Sequence, residues 1–193
     1  MQTFHLTTLT FAAALLFGGC ATEEKVSYGD AKEVETVSNE FGSTDLQLIA
    51  EKMTRSMLQA PVVVAGNLPI VTVQDVKNKT SEYIDTRAIT DTIRAELQRS
   101  GKVRFAVDAK AMKQQISEIE RQQGQYYDQD ENVDKGKMVG ARFRLEGNIT
   151  SIVKQNKKVK DVYYKFNLQM WNIQNGLLEW SDEKEIRKQT SKG

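Results

Sequence analysis

The stretch ARFRLEGNITSIVKQNKKVKDVYYKFNLQMWNIQNGLLEW, residues 141–180, decides the fold. Apolar and polar residues alternate along two of its segments, 141–155 and 161–173, and NKKVK at 156–160 joins them. Alternation with a period of two is typical of β-strands that bury one face. The dipeptide Asn175-Gly176 is favoured in hairpin turns, and LLEW follows it. The stretch therefore predicts three strands connected as hairpins.

A helix is predicted further upstream, over residues 45–60. Apolar residues recur there at helical spacing, namely Leu46, Ile49, Met53 and Met57. Thr44 or Asp45 is a suitable cap for its start, and Pro61 closes it. A methionine-containing stripe of this kind indicates core packing.

Two more helices precede the strands. The second begins at Asp85 or Thr86 and ends at Gly101, and the third is capped by Asp108 and stops near Gly124. Their apolar faces consist of Ile89, Ile93 and Leu97 in the second helix, and of Met112, Ile116 and Ile119 in the third.

Two short strands alternate with these helices. They are PIVTVQDV at 69–76 and KVRFAV at 102–107, and the polar KNKTSEY at 77–83 is interpreted as a turn. The order helix, strand, helix, strand, helix and three strands predicts an α/β (α+β) fold. We expect a largely antiparallel sheet of about four to five strands flanked by helices.

The N-terminal region carries the chain's single cysteine, Cys20, which can form no disulfide within the chain. An apolar run at 11–17, small residues and an acidic segment surround it, as in a bacterial lipoprotein signal. We therefore predict a signal peptide over 1–19, lipidation at Cys20, a flexible tether over 20–44 and a globular domain over 45–193. A buried free cysteine is the alternative. In lipoproteins, Ala21 rather than aspartate after the cysteine favours the outer membrane.

Catalytic residues are scarce in the sequence. The only histidine, His5, lies in the predicted signal peptide, so the mature chain offers no imidazole base and no Cys-His pair. No phosphate-binding glycine motif is present. Asp182 and Glu183 could form an acid–base couple, but they stand in a mixed-charge run typical of a solvated surface. The sequence predicts a protein that is not an enzyme and needs no cofactor.

One segment resembles a calcium loop, because Asp128, Asp130 and Asn132 have the spacing of its first three ligands. Val133 stands where such a loop needs glycine, and Val139 where it needs a bidentate glutamate. We therefore predict no metal site.

Charge is distributed unevenly along the chain. Residues 20–60 contain 4 basic and 8 acidic residues, residues 61–136 contain 11 and 12, and residues 137–193 contain 12 and 6. A basic C-terminal third could meet nucleic acid, anionic lipid or an acidic protein surface. An envelope location argues against nucleic acid.

Two blocks carry a family resemblance. They are VQDVKNKTSEYIDTRAITDTIRAELQRSGKVRF at 73–105 and IVKQNKKVKDVYYKFNLQMWNIQNGLLEWSDEKEIRK at 152–188. Both resemble the LpoB family of penicillin-binding protein activators, and the likeness extends over about residues 45 to 190. The resemblance implies a monomeric outer-membrane lipoprotein that binds a small regulatory domain of a class A penicillin-binding protein, synthase 1B. It also implies stimulation of that enzyme's glycosyltransferase and transpeptidase activities, and a fold similar to the N-terminal domain of TolB.

The sequence departs from well-known family members in its tether, which is short and contains no proline. Two other functions stay open at this stage. One is a TolB-like scaffold that binds envelope proteins without stimulating a synthase, and the other is a wall hydrolase.

A partner-binding surface is predicted beside the first long strand. Alternation there places Phe143 and Leu145 on one face and Arg142 and Arg144 on the other. Tyrosine and arginine are common in binding hot spots, and a long loop in a compact domain is often functional. The predicted partner-binding residues are Arg142 and Arg144, with Tyr126, Lys135 and Lys137 from loop 124–138, and Tyr163 and Lys165 from the next strand. A solvated basic face is the alternative, and Trp171 could belong to the patch or to the core.

Overall fold

The computed structural model describes residues 26–35, 37–128 and 130–191. Cys20 and the predicted signal peptide lie outside these residues. The chain divides into two compact units, Met1–Asp30 and Ala31–Gly193. In the first unit, residues 26–30 are exposed and have no helix or strand. The second unit contains the helices and strands described below.

The second unit has four helices and six strands among the described residues. The helices are α1 (Ser43–Leu58), α2 (Pro61–Val64), α3 (Thr86–Arg99) and α4 (Ala109–Gln122). The strands are β1 (Ile70–Val73), β2 (Lys77–Lys79), β3 (Arg104–Phe105), β4 (Phe143–Gln155), β5 (Val159–Asn172) and β6 (Leu178–Ser191). No helix in the described part of the chain is both long and apolar enough to cross a membrane.

All strands belong to one sheet with the order β3-β1-β4-β5-β6, in which β2 also pairs with β4. The long strands β4, β5 and β6 are antiparallel, whereas the short strands β1, β2 and β3 pair in parallel. The predicted α+β class is confirmed, with six strands where four to five were expected. The additional strand, β2, consists of the exposed residues KNK. β2 is defined only by its backbone pairing with β4. Its sequence has no apolar alternation from which a strand could be predicted.

The core lies between one face of the long strands and helices α1 and α3. Val162, Tyr164, Phe166, Leu168 and Met170 alternate along β5 and are all buried. They pack in one cluster with the predicted apolar stripes of α1 and α3, apart from Leu46, which is only partly buried. The stripe predicted for α4 is only partly covered, because Ile119 is buried whereas Ile116 is exposed.

The helix caps agree with the sequence at α3 and α4. Asp85 and Asp108 each accept hydrogen bonds from two backbone N–H groups of the helix that follows. Bonds from the backbone of Ala111 and Lys110, with Arg87 and Arg94 nearby, hold the pKa of Asp108 below its ordinary value against the opposing effect of burial. At α1 the cap is Gly42 instead of Thr44 or Asp45. Asp45 lies in the first turn and accepts from the Gly42 N–H at 2.9 Å.

The end of the predicted tether lies against the domain. Phe41 packs edge-on against Tyr164 with ring centroids 5.8 Å apart, and Asn39 is buried. The Glu35 carboxylate accepts from the Ser43 N–H at 2.9 Å. The compact unit Ala31–Gly193 includes these residues.

Two polar contacts hold this segment in place. The Lys188 ammonium lies 3.0 Å from the Asp45 carboxylate and donates to the Glu40 carbonyl at 2.6 Å. The Glu82 carboxylate accepts from the Tyr164 hydroxyl and, at 3.0 Å, from the Phe41 N–H. Burial, together with the hydrogen bond to Glu82 and its negative charge, raises the pKa of Tyr164 well above its ordinary value. The hydroxyl, already protonated at neutral pH with an ordinary tyrosine pKa of about 10, therefore stays a hydrogen-bond donor to Glu82 in alkaline solution as well.

Replacing Tyr164 with phenylalanine should destabilise the domain. The change removes the donor to Glu82 and leaves a partly buried carboxylate short of one partner, which costs about 1–3 kcal/mol. Urea unfolding followed by circular dichroism measures the loss. Tyr83→Phe is the control, because Tyr83 is 92% exposed and should change stability by less than about 0.5 kcal/mol. Equal unfolding midpoints for the two variants would contradict the role of the hydroxyl.

Candidate partner-binding surface

The long strands present a second face that is polar, and we call it the polar face. Its residues alternate with the core residues along each strand. They are Arg144, Glu146, Asn148 and Thr150 of β4, Tyr163, Lys165, Asn167, Gln169 and Trp171 of β5, and Glu183, Glu185 and Arg187 of β6.

At one end of the polar face, opposite charges pair across the strands. The Lys165 ammonium lies 2.6 Å from the Glu183 carboxylate, and this hydrogen bond raises the pKa of Lys165. A hydrogen bond to Glu185 raises the pKa of the Tyr163 hydroxyl in the same way. The predicted residues Tyr163 and Lys165 therefore lie together but already have partners within the domain.

Arg144 lies at the opposite end of the polar face. It stands directly across from Trp171, whereas Lys165 stands across from Thr150. Thr150 lies six positions after Arg144 along β4, which corresponds to about 20 Å along the strand. The structure thus separates the predicted patch into two clusters.

Arg144 retains hydrogen-bonding capacity. Its Nε lies 3.2 Å from a Glu146 carboxylate oxygen, but the ion pair lacks the geometry of a hydrogen bond. The indole N–H of Trp171 is also buried and donates to no described group. Buried donors without acceptors are unfavourable. These two atoms are closed to solvent, but the Arg144 side chain as a whole is 41% exposed and is open to a partner.

Arg142 precedes β4 and is exposed. Its backbone is fixed by two hydrogen bonds of 2.9 Å, one to the Ile70 carbonyl and one from the Ile173 N–H. The remaining predicted residues, Tyr126, Lys135 and Lys137, are exposed in the segment between α4 and β4. Rigid backbone beneath Arg142 orients a side chain that is free to contact a partner.

A groove of about 610 Å³ opens next to Arg144. It lies along the edge of β4, between the residues that pair with β1 and those that pair with β2. Its lining residues are Gln74, Asp75, Lys77, Lys79, Arg144, Glu146, Gly147, Asn148 and Gln169. Lys77 and Lys79 make no ion pair with any described residue. Sequence reasoning missed these two lysines because KNK has the composition of a turn.

Gly147 allows a close approach of β4 and β5 beneath the groove. A Cβ at this position would collide with the backbone carbonyl of Asn167. The glycine is required by this contact with the neighbouring strand, and any larger residue must push the two strands apart.

The polar face has the chemistry of a binding surface. Across the described residues, no cluster of three or more His, Cys, Asp or Glu side chains is arranged to hold a metal ion.

The profile of the peptidoglycan-synthase activator LpoB family matches residues 45–186. The chain therefore belongs to this family, whose members are envelope lipoproteins that activate peptidoglycan synthases.

Solved structures of low sequence identity are similar to the domain. The C-terminal domains of LpoB from Salmonella enterica and from Escherichia coli are each 21% identical, with a TM-score of 0.45. Each match covers 74% of this chain and 98% of that domain. The lipoprotein GNA1162 from Neisseria meningitidis is 16% identical with a TM-score of 0.39, over 63% of this chain and 84% of that protein. A search of curated protein sequences found no significant match.

Replacing Gly147 with alanine should lower the free energy of unfolding by about 1–3 kcal/mol, because the added methyl group overpacks the β4–β5 contact. Chemical denaturation of the purified domain measures the change. Gly140→Ala is the matched control, since a Cβ there meets open space. An unfolding midpoint for Gly147→Ala equal to that of Gly140→Ala would contradict the close approach.

Proposed function

We propose that this chain is an outer-membrane lipoprotein that binds and stimulates a class A penicillin-binding protein, synthase 1B. Cys20 carries the lipid anchor, and the predicted tether over residues 20–44 links it to the domain, which reaches the synthase. Membership of the activator family over residues 45–186 is the observation that supports this proposal most directly. The protein acts by changing the rate of its partner and performs no catalysis of its own.

The docking surface is the Arg144 end of the polar face. Arg142 is exposed there on a fixed backbone, and the Arg144 side chain is 41% exposed. The groove runs from Arg144 along β4 to Lys77 and Lys79, which pair with Asn148 and Thr150, and these lysines add donors suited to a partner that presents carboxylates and carbonyls. Charge complementarity of this kind determines specificity and speeds association.

The segment between α4 and β4 extends this surface. Tyr126 is almost fully exposed, and its aromatic ring can be buried on binding at a low entropic cost. Lys135 and Lys137 are exposed in the same segment. These three residues complete the proposed contact with the synthase.

Tyr163 and Lys165 form a separate, weaker contact. Both are bonded to glutamates of β6, so a partner must compete with Glu183 and Glu185 for them. Exposed ion pairs contribute little, because solvent and salt screen them. We assign them to the rim of the interface.

Reversing the charge at both arginines should abolish the stimulation of the synthase. Losing one hot-spot arginine costs about 2 kcal/mol or more of binding, which lowers affinity about thirtyfold or more. The experiment compares glycosyltransferase activity of the cognate synthase with purified residues 21–193 of wild type and of the Arg142→Glu, Arg144→Glu variant. Binding of the two proteins to the synthase is measured in parallel.

The control for this experiment is Arg55→Glu, Arg99→Glu, which changes charge equally at two exposed arginines of α1 and α3. It should stimulate normally, and urea unfolding of both variants checks that each is folded under the assay conditions. Normal stimulation by the Arg142→Glu, Arg144→Glu variant would exclude this end of the polar face as the docking surface.

Replacing Cys20 with serine should release the protein from outer membranes. Two or more acyl chains give stable attachment where one is marginal, and serine cannot receive the thioether-linked lipid. Fractionation of cell envelopes, followed by immunoblotting, measures the change. A Cys20→Ser protein that still fractionates with outer membranes would disprove the anchor.

A further inference from the structure

The β4–β5 hairpin ends in a segment of uniform charge, residues 152–160, which we call the basic tip. Its sequence, IVKQNKKVK, contains four lysines and no acidic residue. The lysines are Lys154, Lys157, Lys158 and Lys160. They lie on both strands and in the turn between them.

The basic tip projects past the parallel strands. β2 pairs with β4 only as far as Thr150, so the following residues of β4 form a free edge. Ile152 is 58% exposed and Val153 is 45% exposed. Because side chains alternate along a strand, these two apolar residues lie on opposite faces of the hairpin.

A pocket of about 250 Å³ lies between the basic tip and the segment that enters the domain. Its floor is a row of three polar side chains, Gln155, Lys160 and Thr190, which are paired in register across β4, β5 and β6. Lys158 lines it from the turn. This row lies on the same face of the sheet as the apolar core residues of β4 and β5.

Asn39 forms the opposite wall of the pocket. Its side chain is only 7% exposed, and its amide nitrogen donates to no described group. Asn39 and two lysines, Lys158 and Lys160, line this one cavity. Lysines together with polar side chains are suited to an oxyanion with several acceptor oxygens, such as a phosphate group. The volume of the pocket is several times the roughly 30 Å³ that one water occupies in the liquid. A phosphate group therefore fits.

We propose that the basic tip and this pocket bind the phosphate-bearing headgroups of an anionic lipid surface. Lysines next to exposed aliphatic side chains are the combination that headgroup layers bind, through charge and shallow apolar burial. The apolar residues on opposite faces favour a lipid surface over a folded protein. A rigid partner covers one face of a hairpin, whereas a headgroup layer surrounds its end. The inference does not depend on the proposed role as a synthase activator.

The experiment measures sedimentation with lipid vesicles. Every arm uses purified residues 21–193, which lack both Cys20 and the apolar run at 11–17, so that neither acyl chains nor the predicted signal peptide can contribute. Vesicles of phosphatidylglycerol and phosphatidylcholine are compared with vesicles of phosphatidylcholine alone. Each lysine near an anionic surface contributes about 1 kcal/mol, equivalent to about a fivefold change in partitioning. Lys158→Gln, Lys160→Gln should therefore weaken binding to anionic vesicles about thirtyfold.

Lys102→Gln, Lys113→Gln is the matched control, because it removes the same charge from two exposed lysines far from the tip in sequence. It should bind like the parent chain, and binding should require phosphatidylglycerol. Equal loss in the control variant, equal binding to neutral vesicles, or no binding to anionic vesicles would each overturn the proposal. If calorimetry detected binding of inorganic phosphate and no vesicle binding occurred, the ligand would be free phosphate and the proposed lipid headgroup would be excluded.

Discussion

The antiparallel pairing of β4 with β5 is the constraint on which the rest of the structure depends. Thirteen consecutive residues, Phe143 to Gln155, pair in register with Asn172 to Lys160. Because side chains alternate, this register assigns each residue of both strands to the core or to the polar face. A shift by one position would bring Lys165 and Tyr163 into the core and expose Phe166 and Tyr164. The helices, the groove and the basic tip all take their positions from this pair of strands.

The same pairing separates surfaces with different chemistry. At the Arg144 end, the Arg144 Nε and the Trp171 indole N–H have no hydrogen-bond acceptor among the described residues, whereas at the other end Glu185 and Glu183 of β6 satisfy Tyr163 and Lys165. Beyond these pairs the hairpin continues as the basic tip, where β2 and the helices no longer cover it. A synthase and a lipid surface could therefore be contacted at the same time, because the two surfaces occupy different ends of the sheet.

The segment before α1 connects the domain to the predicted anchor. Phe41 and Asn39 are held against β5 and β6 by Tyr164, Glu82 and Lys188, through contacts that lie close to the core. Tension on the tether would act first on this segment. The buried ion pair and the hydrogen bonds at this point resist local unfolding, because removing one partner leaves the other buried and unsatisfied.

The sequence by itself determined the class of fold, the helix caps at Asp85 and Asp108, and which of the two faces would hold Phe143 and Arg144. These features follow from local periodicity and from side chains that bond to nearby backbone. Only the tertiary structure decided that KNK forms a strand, that Asn39 is buried and that Arg144 lies far from Lys165. It also aligned Gln155, Lys160 and Thr190 into one row. Each of these depends on pairing between distant segments, and no local pattern encodes which residues will meet across a sheet.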